Sequence, residues 1–241
     1  MAARNVKPIP PESKVSSHSA AANLIPQVSA LPPIPPGDIA DLPPITPEEK
    51  TRRMAALEKA ASDELGKYLS DMATRVVFGE GTVDADMMFI GEGPGADEDR
   101  LGRPFVGRSG QLLDKMIEAI GLSREQVYIA NVVKLRCAEW DDSSGRLKDR
   151  PPTVSEAALG ITWLHRQIEI VRPRAIVTLG ASAIRHLLGE MGNLSAIRGN
   201  WRSYRGIPLM PTFHPAYLLR AYTEDNRRKV WNDLKAAQSK T

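Results

Sequence analysis

The fold is decided by one stretch of this sequence, Met87-Met88-Phe89-Ile90-Gly91-Glu92-Gly93-Pro94-Gly95, which passes from apolar residues into a glycine-rich turn with one carboxylate. A similar change occurs far along the chain, where Ile207-Pro208-Leu209-Met210 leads to Phe213-His214-Pro215. Each stretch is typical of a buried strand that ends in a loop with polar groups. Because ligands of open α/β sheets lie at the carboxyl ends of the strands, we expect Glu92 and His214 to face one crevice.

The rest of the chain alternates strands with helices. Apolar runs predict four strands, over 87–92, 127–133, 175–179 and 209–213. Helices are predicted over 46–72 with an interruption at Gly66, and over 109–120, 153–171, 180–188 and 224–238, with a polar, irregular loop over 136–152. Nearly continuous apolar strands between helices favour a parallel sheet covered on both faces. We therefore predict an α/β fold, a three-layer α/β/α sandwich with a central four-stranded parallel sheet.

The first 45 residues differ in composition from the remainder. Eleven of the 19 prolines precede Lys50, and residues 31–36 form a polyproline-type segment. We predict a disordered proline-rich tail over 1–45, dispensable or docking a partner that the sequence does not define, and a catalytic domain over 46–241.

Composition sets few limits on function. The chain has 241 residues, 42% hydrophobic and 25% charged, as in ordinary globular proteins, and its net charge of +3 permits nucleic-acid binding without requiring it. No apolar run approaches the roughly 20 residues that span a bilayer, and the N-terminus lacks a signal-peptide pattern, so we expect a cytoplasmic protein without membrane contacts. Cys137 is the single cysteine, which excludes an internal disulfide and a cysteine-rich metal cage.

Several residues could carry chemistry. The glycines around Glu92 allow backbone to approach a ligand closely, although a purely structural turn fits equally well. Residues 100–108 combine three arginines with Phe105, which suits phosphate contacts and base stacking or, alternatively, a solvated loop. Asn131 lies inside an apolar strand, where its amide pairs either with an imide edge such as that of uracil or with backbone. His214 precedes a proline, which holds its backbone extended.

Together these residues resemble the uracil-DNA glycosylase superfamily, and within it the family 4 enzymes of bacteria and archaea, which normally carry an iron–sulfur cluster. The resemblance runs from about Val76 to Leu234. The matching stretches are 76–81, 91–95, 102–114, 128–134, 198–201 and 214–220. Several motifs in the right order are far more specific than any one of them.

The resemblance implies roles for the matching positions. Glu92 would position or activate the attacking water, and His214 would donate a hydrogen bond to uracil O2. Uracil itself would be bound by Gly91, Gly93, Phe105 and Asn131. Contacts with DNA would come from Arg103, Arg108, Ser109, Leu218 and Arg220, with Leu218 as the wedge that fills the space of the flipped nucleotide.

The function so implied is that of a monofunctional, monomeric uracil-DNA glycosylase. It would hydrolyse the N-glycosidic bond of uracil in single- or double-stranded DNA at the nucleoid, leave an abasic site and so initiate base excision repair. Two alternatives stay open. One is a non-catalytic or covalent-trapping uracil-DNA-binding module, and the other is a glycosylase for another deaminated base such as hypoxanthine.

Two features depart from family 4. Its cluster cysteines would fall within 63–74, at Leu135, and at Leu159 or Gly160, and none is present. We therefore predict no cluster, no other cofactor and no metal, with apolar packing by Leu135, Leu159 and Tyr68 instead. The 136–152 loop is unusually long and resembles that of a class that traps uracil-DNA covalently through a histidine, but Asp149 stands at about that position.

Overall fold

The computed structural model describes residues 37–190 and 192–241. Its strands are β1 (Glu80–Gly81), β2 (Met87–Gly91), β3 (Tyr128–Asn131), β4 (Ala138–Asp141), β5 (Arg146–Asp149), β6 (Ala175–Leu179), β7 (Arg202–Tyr204) and β8 (Ile207–Thr212). Its α-helices are α1 (Pro47–Leu65), α2 (Ala96–Leu101), α3 (Arg108–Ala119), α4 (Val154–Val171), α5 (Ala181–Leu188), α6 (Leu194–Ile197), α7 (Pro215–Arg220) and α8 (Glu224–Gln238).

Six of these strands form one mixed sheet in the order β1-β3-β2-β6-β8-β7. The four inner strands are parallel, as predicted. The short edge strands β1 and β7 run antiparallel to their neighbours and were not predicted. Gly91 pairs with Asn131, and Leu179 pairs with Thr212, so all four parallel strands end along the same edge.

Helices cover both faces of the sheet and confirm the predicted three layers. Alternate side chains of β2 point to opposite sides, as strand geometry requires. Met87 and Phe89 join a core with residues of α3, α7 and α8. Met88 and Ile90 join a second core with residues of α1, α4 and α5. Every residue of β2 is buried, which explains why the strand reads as a continuous apolar run.

The prediction of an irregular loop over 136–152 was wrong. Strands β4 and β5 pair there as an antiparallel hairpin. The turn between them is closed by the amide of Gly145, which donates to the Asp141 carbonyl over 2.8 Å, and Gly145 adopts a positive φ of 64°. An aspartate start and a glycine end are ordinary signals for such a turn.

Part of the predicted tail packs on the domain. Residues 1–36 lie outside the described residues, but 37–45 are described and make specific contacts. Ile39 is buried, and its amide donates to the carbonyl of Arg205 over 2.9 Å. Arg172 donates to the carbonyl of Pro43 over 2.7 Å. The described chain therefore contacts the domain before α1 begins.

Candidate active site

Three predicted uracil-binding residues meet at the end of β2. A Cβ atom built on Gly91 would lie 2.5 Å from Oδ1 of Asn131 and 2.5 Å from Cζ of Phe105. Any side chain at Gly91 would therefore fill the space between the amide and the ring. Gly93 is restricted as well, because a Cβ there would lie 2.5 Å from Cγ2 of Val133. Glycine at both positions therefore lets the Asn131 amide, the Phe105 ring and Val133 pack directly against this turn.

The Asn131 side chain has an unmet hydrogen-bonding capacity. It is 1% exposed, and its Oδ1 has no hydrogen-bond partner among the described residues. An unsatisfied buried acceptor costs about 1–3 kcal/mol, so proteins rarely keep one without a use. A ligand that donates a hydrogen bond in this space would satisfy it.

A buried lysine, Lys134, donates a hydrogen bond to the backbone of Asn131. Nζ of Lys134 donates to the Asn131 carbonyl over 2.8 Å and to Oε1 of Gln167 over 2.6 Å. The side-chain amide of Gln167 in turn donates to the backbone carbonyl of Phe78 over 3.0 Å. Burial lowers the pKa of Lys134 to about 7. Sequence reasoning missed this positioning role, although a lysine that follows an apolar strand is a signal for a buried polar network.

Phe105 is held in an unusual backbone conformation. Its φ is +50°, a region that costs energy for any residue other than glycine. A Cβ on Gly110 would lie 1.8 Å from the Phe105 carbonyl oxygen, so α3 can approach this loop only with glycine at that position. Helix and loop together set the direction of the ring.

Arg124 fastens the Phe105 loop. Its guanidinium donates to the carbonyl of Phe105 over 3.0 Å and to the carbonyl of Pro104. It also pairs with Asp114 over 2.7 Å and with Glu80. Five donors in a planar fork suit arginine to such a position. Arg124 was not singled out from the sequence, where nothing links it to residues some 20 positions earlier.

Glu98 joins this loop to the glycine-rich turn. Its Oε1 accepts from the amides of Val106 and Gly107, both over 2.8 Å, and its Oε2 accepts from the amide of Gly95 over 3.1 Å. Glu98 therefore caps the start of α2, one of the two interpretations that the sequence allows for the acids over 97–99, and it also connects the two halves of the site.

His214 is oriented by its own helix. Its Nδ1 accepts from the amide of Ala216 over 3.0 Å at the start of α7. The neutral ring therefore carries its proton on Nε2, which is left to donate to a ligand. Burial, followed by the charge of Arg220, lowers the pKa of His214 to about 4, against a weaker opposing effect of Glu98. The imidazole is thus neutral at physiological pH, and it lies beside the Phe105 ring.

The loop of His214 rests on a buried ion pair. Arg198 donates through Nε to Oδ2 of Asp233 over 2.9 Å, and Oγ1 of Thr212 donates to the same oxygen over 2.6 Å. The Arg198 guanidinium also lies 5.4 Å from the centroid of the Phe213 ring. These contacts fix the end of β8 immediately before His214.

Glu92 lies at the same edge of the sheet. Its backbone carbonyl accepts from the amide of Val133 over 3.0 Å, which ties the turn to the chain beyond Asn131. Its charge counteracts the lowering of the His186 pKa by burial, so these two side chains are close enough to interact. The described contacts thus bring together the His214 imidazole, the Phe105 ring and the Asn131 amide, and the backbone of Glu92 lies at the same edge of the sheet.

The predicted DNA contacts are placed unevenly. Arg108 is exposed at the start of α3, with Ser109 after it, and Arg220 is exposed at the end of α7. Arg103 is also exposed, but it pairs with Glu80 over 2.7 Å.

Leu218, the predicted wedge, is buried in the structure. Leu218 is 2% exposed and packs in the core shared with α3 and α8. On the same helix Tyr217 and Leu219 are each 38% exposed, so the outward positions flank the predicted one.

The positions of the family 4 cluster do not fit an iron–sulfur group. Leu159 belongs to the core, and Leu135 and Tyr68 pack against it. Cys137 is buried, and its thiol, whose pKa burial raises to about 12, contacts the Leu135 carbonyl over 3.8 Å. Among the described residues no group of three or more His, Cys, Asp or Glu side chains could hold a metal ion.

Residues 78–235 match the Uracil DNA glycosylase superfamily, and this span includes every residue of the site. The chain belongs to the uracil-DNA glycosylase superfamily. It is 44% identical over 170 residues to a type-4 uracil-DNA glycosylase of Thermotoga maritima, covering 69% of this chain and 83% of that protein. It is 39% identical over 171 residues to the type-4 uracil-DNA glycosylase of Sulfurisphaera tokodaii, covering 67% and 73%.

A more distant superfamily relative is the type-5 uracil-DNA glycosylase of Pyrobaculum aerophilum. It is 32% identical over 146 residues, which cover 57% of this chain and 64% of that protein. Within the described part of the chain, no helix has the length and apolar character needed to cross a membrane.

Proposed function

We propose that this protein is a monofunctional uracil-DNA glycosylase that hydrolyses the N-glycosidic bond of uracil in single- or double-stranded DNA and leaves an abasic site. The observation that carries the proposal is the unpartnered Oδ1 of Asn131 beside Gly91 and Phe105. Uracil offers an N–H donor to that oxygen and a carbonyl to the amide nitrogen. Cytosine offers an acceptor at the ring nitrogen, which would face Oδ1 and be repelled.

The other two groups suit the chemistry of this reaction. Breaking the N-glycosidic bond leaves the sugar electron-poor and the departing base anionic. The Nε2–H of His214 can donate to O2 of uracil as negative charge develops there, and one such donor is typically worth about 3–4 kcal/mol. Glu92 can stabilise the sugar electrostatically and hold the attacking water.

The substrate must present an extruded base, because a base inside a duplex cannot reach this crevice. Stacking on Phe105 would return about 1–3 kcal/mol of the unstacking cost. Arg108, Ser109 and Arg220 are the proposed phosphate contacts. Leu219 replaces Leu218 as the proposed wedge, because Leu219 is the exposed leucine of α7. Such a protein would act as a monomer in base excision repair, at the nucleoid in the cytoplasm.

We further propose that the enzyme works without an iron–sulfur cluster. The chain has one cysteine, whereas family 4 uses four, and the corresponding positions contribute to apolar packing. Iron and acid-labile sulfide should therefore be absent from protein purified in its native state. Stoichiometric amounts of both would refute this part of the proposal.

The main test is an excision assay. Single-stranded and duplex oligonucleotides with one uracil are incubated with the protein, and abasic sites are cleaved with alkali. Wild type should release uracil, and His214→Ala and Glu92→Gln should be slower by about 100-fold or more. Glu118→Gln, which changes an exposed glutamate of α3 in the same way, is the matched control and should equal wild type.

The same assay separates the alternatives. A binding module would retain uracil-DNA without releasing base, and Glu92→Gln would bind as wild type does. A covalent trap would give a DNA adduct that survives denaturing electrophoresis. The Asp149 carboxylate, at the base of the hairpin, instead accepts from Arg136 over 2.7 Å, and carboxylate capture is not expected. Release of hypoxanthine in preference to uracil would assign the enzyme to another damaged base.

A further inference from the structure

Helix α7 and the turn after it carry an exposed surface that extends from the proposed wedge Leu219 and the proposed phosphate contact Arg220 to Tyr222 and Arg227, which have no role in the proposed crevice. We call it the α7 patch and define it by Tyr217, Leu219, Arg220, Tyr222 and Arg227. Tyr222 is the most exposed of its apolar members at 59%. Large side chains exposed together commonly mark a binding surface.

The Tyr222 ring is held in place before any ligand arrives. The guanidinium of Arg227 lies 5.1 Å from the ring centroid, within the range of a cation–π contact. The turn itself is fixed by Asn226. Its side-chain Nδ2 donates to the Ala221 carbonyl over 2.9 Å, and its backbone N–H donates to Oγ1 of Thr223 over 3.2 Å. An ordered aromatic ring loses little entropy when a flat group stacks on it.

The charge of the patch suits a polyanion. Arg220 and Arg227 have no carboxylate partner among the described residues. By contrast, Arg228 and Lys229, on the same helix, both pair with Asp225, over 2.9 and 2.6 Å. Guanidinium groups without a carboxylate partner, next to exposed aromatic rings, are the combination that binds single-stranded nucleic acid.

The patch continues from the proposed site along the chain. Six residues of α7 rise about 9 Å, and two further residues add at most about 7 Å. The Cα atom of Tyr222 therefore lies within about 16 Å of the Cα atom of His214. Because stacked nucleotides of one strand are spaced by about 3.4 Å, this distance reaches the neighbours of a uracil bound in the crevice and stays within about five nucleotides of it.

We propose that Tyr222 is a stacking platform for an unpaired base that flanks the uracil on the same strand, with Arg220 and Arg227 on the adjoining phosphates. This inference rests on the proposed glycosylase function and deepens it, because only a single-stranded flank offers a free base face. The preferred substrate is then uracil in single-stranded DNA.

The test compares steady-state excision on three single strands. One has the uracil in the centre, and the other two end one nucleotide from the uracil on the 5′ or the 3′ side. Tyr222→Ala should raise KM for the long strand about tenfold and leave kcat unchanged, as expected for the loss of one stacked base. The increase should vanish on one of the shortened strands and persist on the other. Tyr222→Phe should behave as wild type.

Trp231 provides a matched control. It is 41% exposed on α8, and Nζ of Lys235 lies 5.5 Å from its ring centroid. Trp231 thus has a cation–π contact like that of Tyr222 with Arg227, but farther along α8 and outside the α7 patch. Trp231→Ala should leave KM unchanged on all three strands. An equal rise in KM for both variants would overturn the proposal, since the effect would then not be local to the patch.

Failure of this inference can be told from failure of the proposed function. If wild type excises uracil and Tyr222→Ala matches it on every strand, the platform is refuted and the glycosylase stands. If wild type excises nothing, the function is refuted, and fluorescence anisotropy with the long strand decides the platform. A Kd about tenfold weaker for Tyr222→Ala would support it, and an unchanged Kd would overturn it.

Discussion

The rings of Phe105 and His214 lie with their centroids 5.7 Å apart and their planes inclined by 33°. Because the two rings are neighbours, we expect a flat base that stacks on Phe105 to present an edge to the imidazole. Since Nδ1 of His214 is occupied by the Ala216 amide, the atom that meets that edge is Nε2 with its proton. The Phe105 ring and the Nε2–H donor of His214 are thus placed to contact the same base.

Gly91→Ala should abolish most of the activity. Its Cβ would lie 2.5 Å from both Asn131 and Phe105, so the amide or the ring must move away. A displacement of this size at a reacting site costs about 100-fold in rate, measured as kcat/KM for excision. Gly66→Ala is the control, because a Cβ at Gly66 meets nothing within 4 Å. Full activity of Gly91→Ala would mean that uracil is bound elsewhere.

Asn131→Leu should make the protein more stable and inactive. Leucine has the same number of side-chain heavy atoms branched at Cγ and removes the unsatisfied Oδ1, so the free energy of unfolding should rise by about 1 kcal/mol in urea denaturation. Excision should fall by about 100-fold or more, since nothing then pairs with the uracil edge. A loss of stability would show that the amide is satisfied in solution.

Thr178→Val is the matched control for that variant. The Oγ1 of Thr178 is also buried without a partner among the described residues. Its replacement should raise the free energy of unfolding in the same way but leave excision unchanged, because Thr178 has no proposed part in the site.

Arg124→Met should weaken both the fold and base binding. It removes the donors to Phe105 and Pro104 and leaves Glu80 and Asp114 short of a charge partner. We expect a loss of about 2–4 kcal/mol in the free energy of unfolding.

The activity of Arg124 variants tests its positioning role. KM for excision should rise in Arg124→Met because Phe105 is no longer held. Arg124→Lys should recover part of the stability through Glu80 but keep a raised KM, since a single ammonium lacks the planar fork that reaches both carbonyls. Arg100→Met breaks an exposed pair with Asp97 and should change neither quantity. Equal KM values for all three variants would contradict the role.

His214 should make stability depend on pH in the acid range. Its pKa is about 4 in the folded protein against an ordinary value of 6.5. The unfolded chain therefore binds more protons between these values, and the free energy of unfolding should fall as pH drops from about 6.5 to 4. Above about pH 6.5 this group should have no effect. His165, whose pKa burial also lowers to about 4, adds a slope of the same sign.

Nuclear magnetic resonance can check His214 directly. The ring should be the Nε2–H tautomer from pH 6 to 8 and titrate near pH 4, and His214→Gln should reduce the slope of unfolding free energy with pH. A titration midpoint near 6.5 would contradict this assignment.

The sequence predicts an element correctly where its local pattern of apolar residues follows directly from how it is buried. The parallel strands are buried on both faces, so each appears as an apolar run, and the polar residues that follow must lie at one edge. The edge strands β1 and β7 have two and three residues, too few for any period to be visible. The hairpin over 138–149 is hard to predict because its strands carry several charged residues and show no sustained apolar period, although Trp140 and Leu147 pair next to its turn.

The residues that hold the site could not be predicted in the same way. Arg124 donates to carbonyls some 20 residues earlier, Glu98 also accepts from amides eight and nine residues later, and Lys134 also donates to Gln167, so each has a partner that only the folded chain brings near. Leu218 shows the same limit, because its spacing from His214 places it on α7, whereas contacts with α3 and α8 decide which side of α7 is buried.

The apolar packing of Leu135, Leu159 and Tyr68 has a consequence for how such an enzyme is made and maintained. Where folding depends on a metal group, the chain must wait for its delivery and is lost when the group is removed. A core closed by side chains alone matures as soon as the chain is synthesised. For the proposed cluster-free glycosylase, scarcity of iron, or oxidants that dismantle clusters, would then leave uracil excision intact when cluster-dependent enzymes fail.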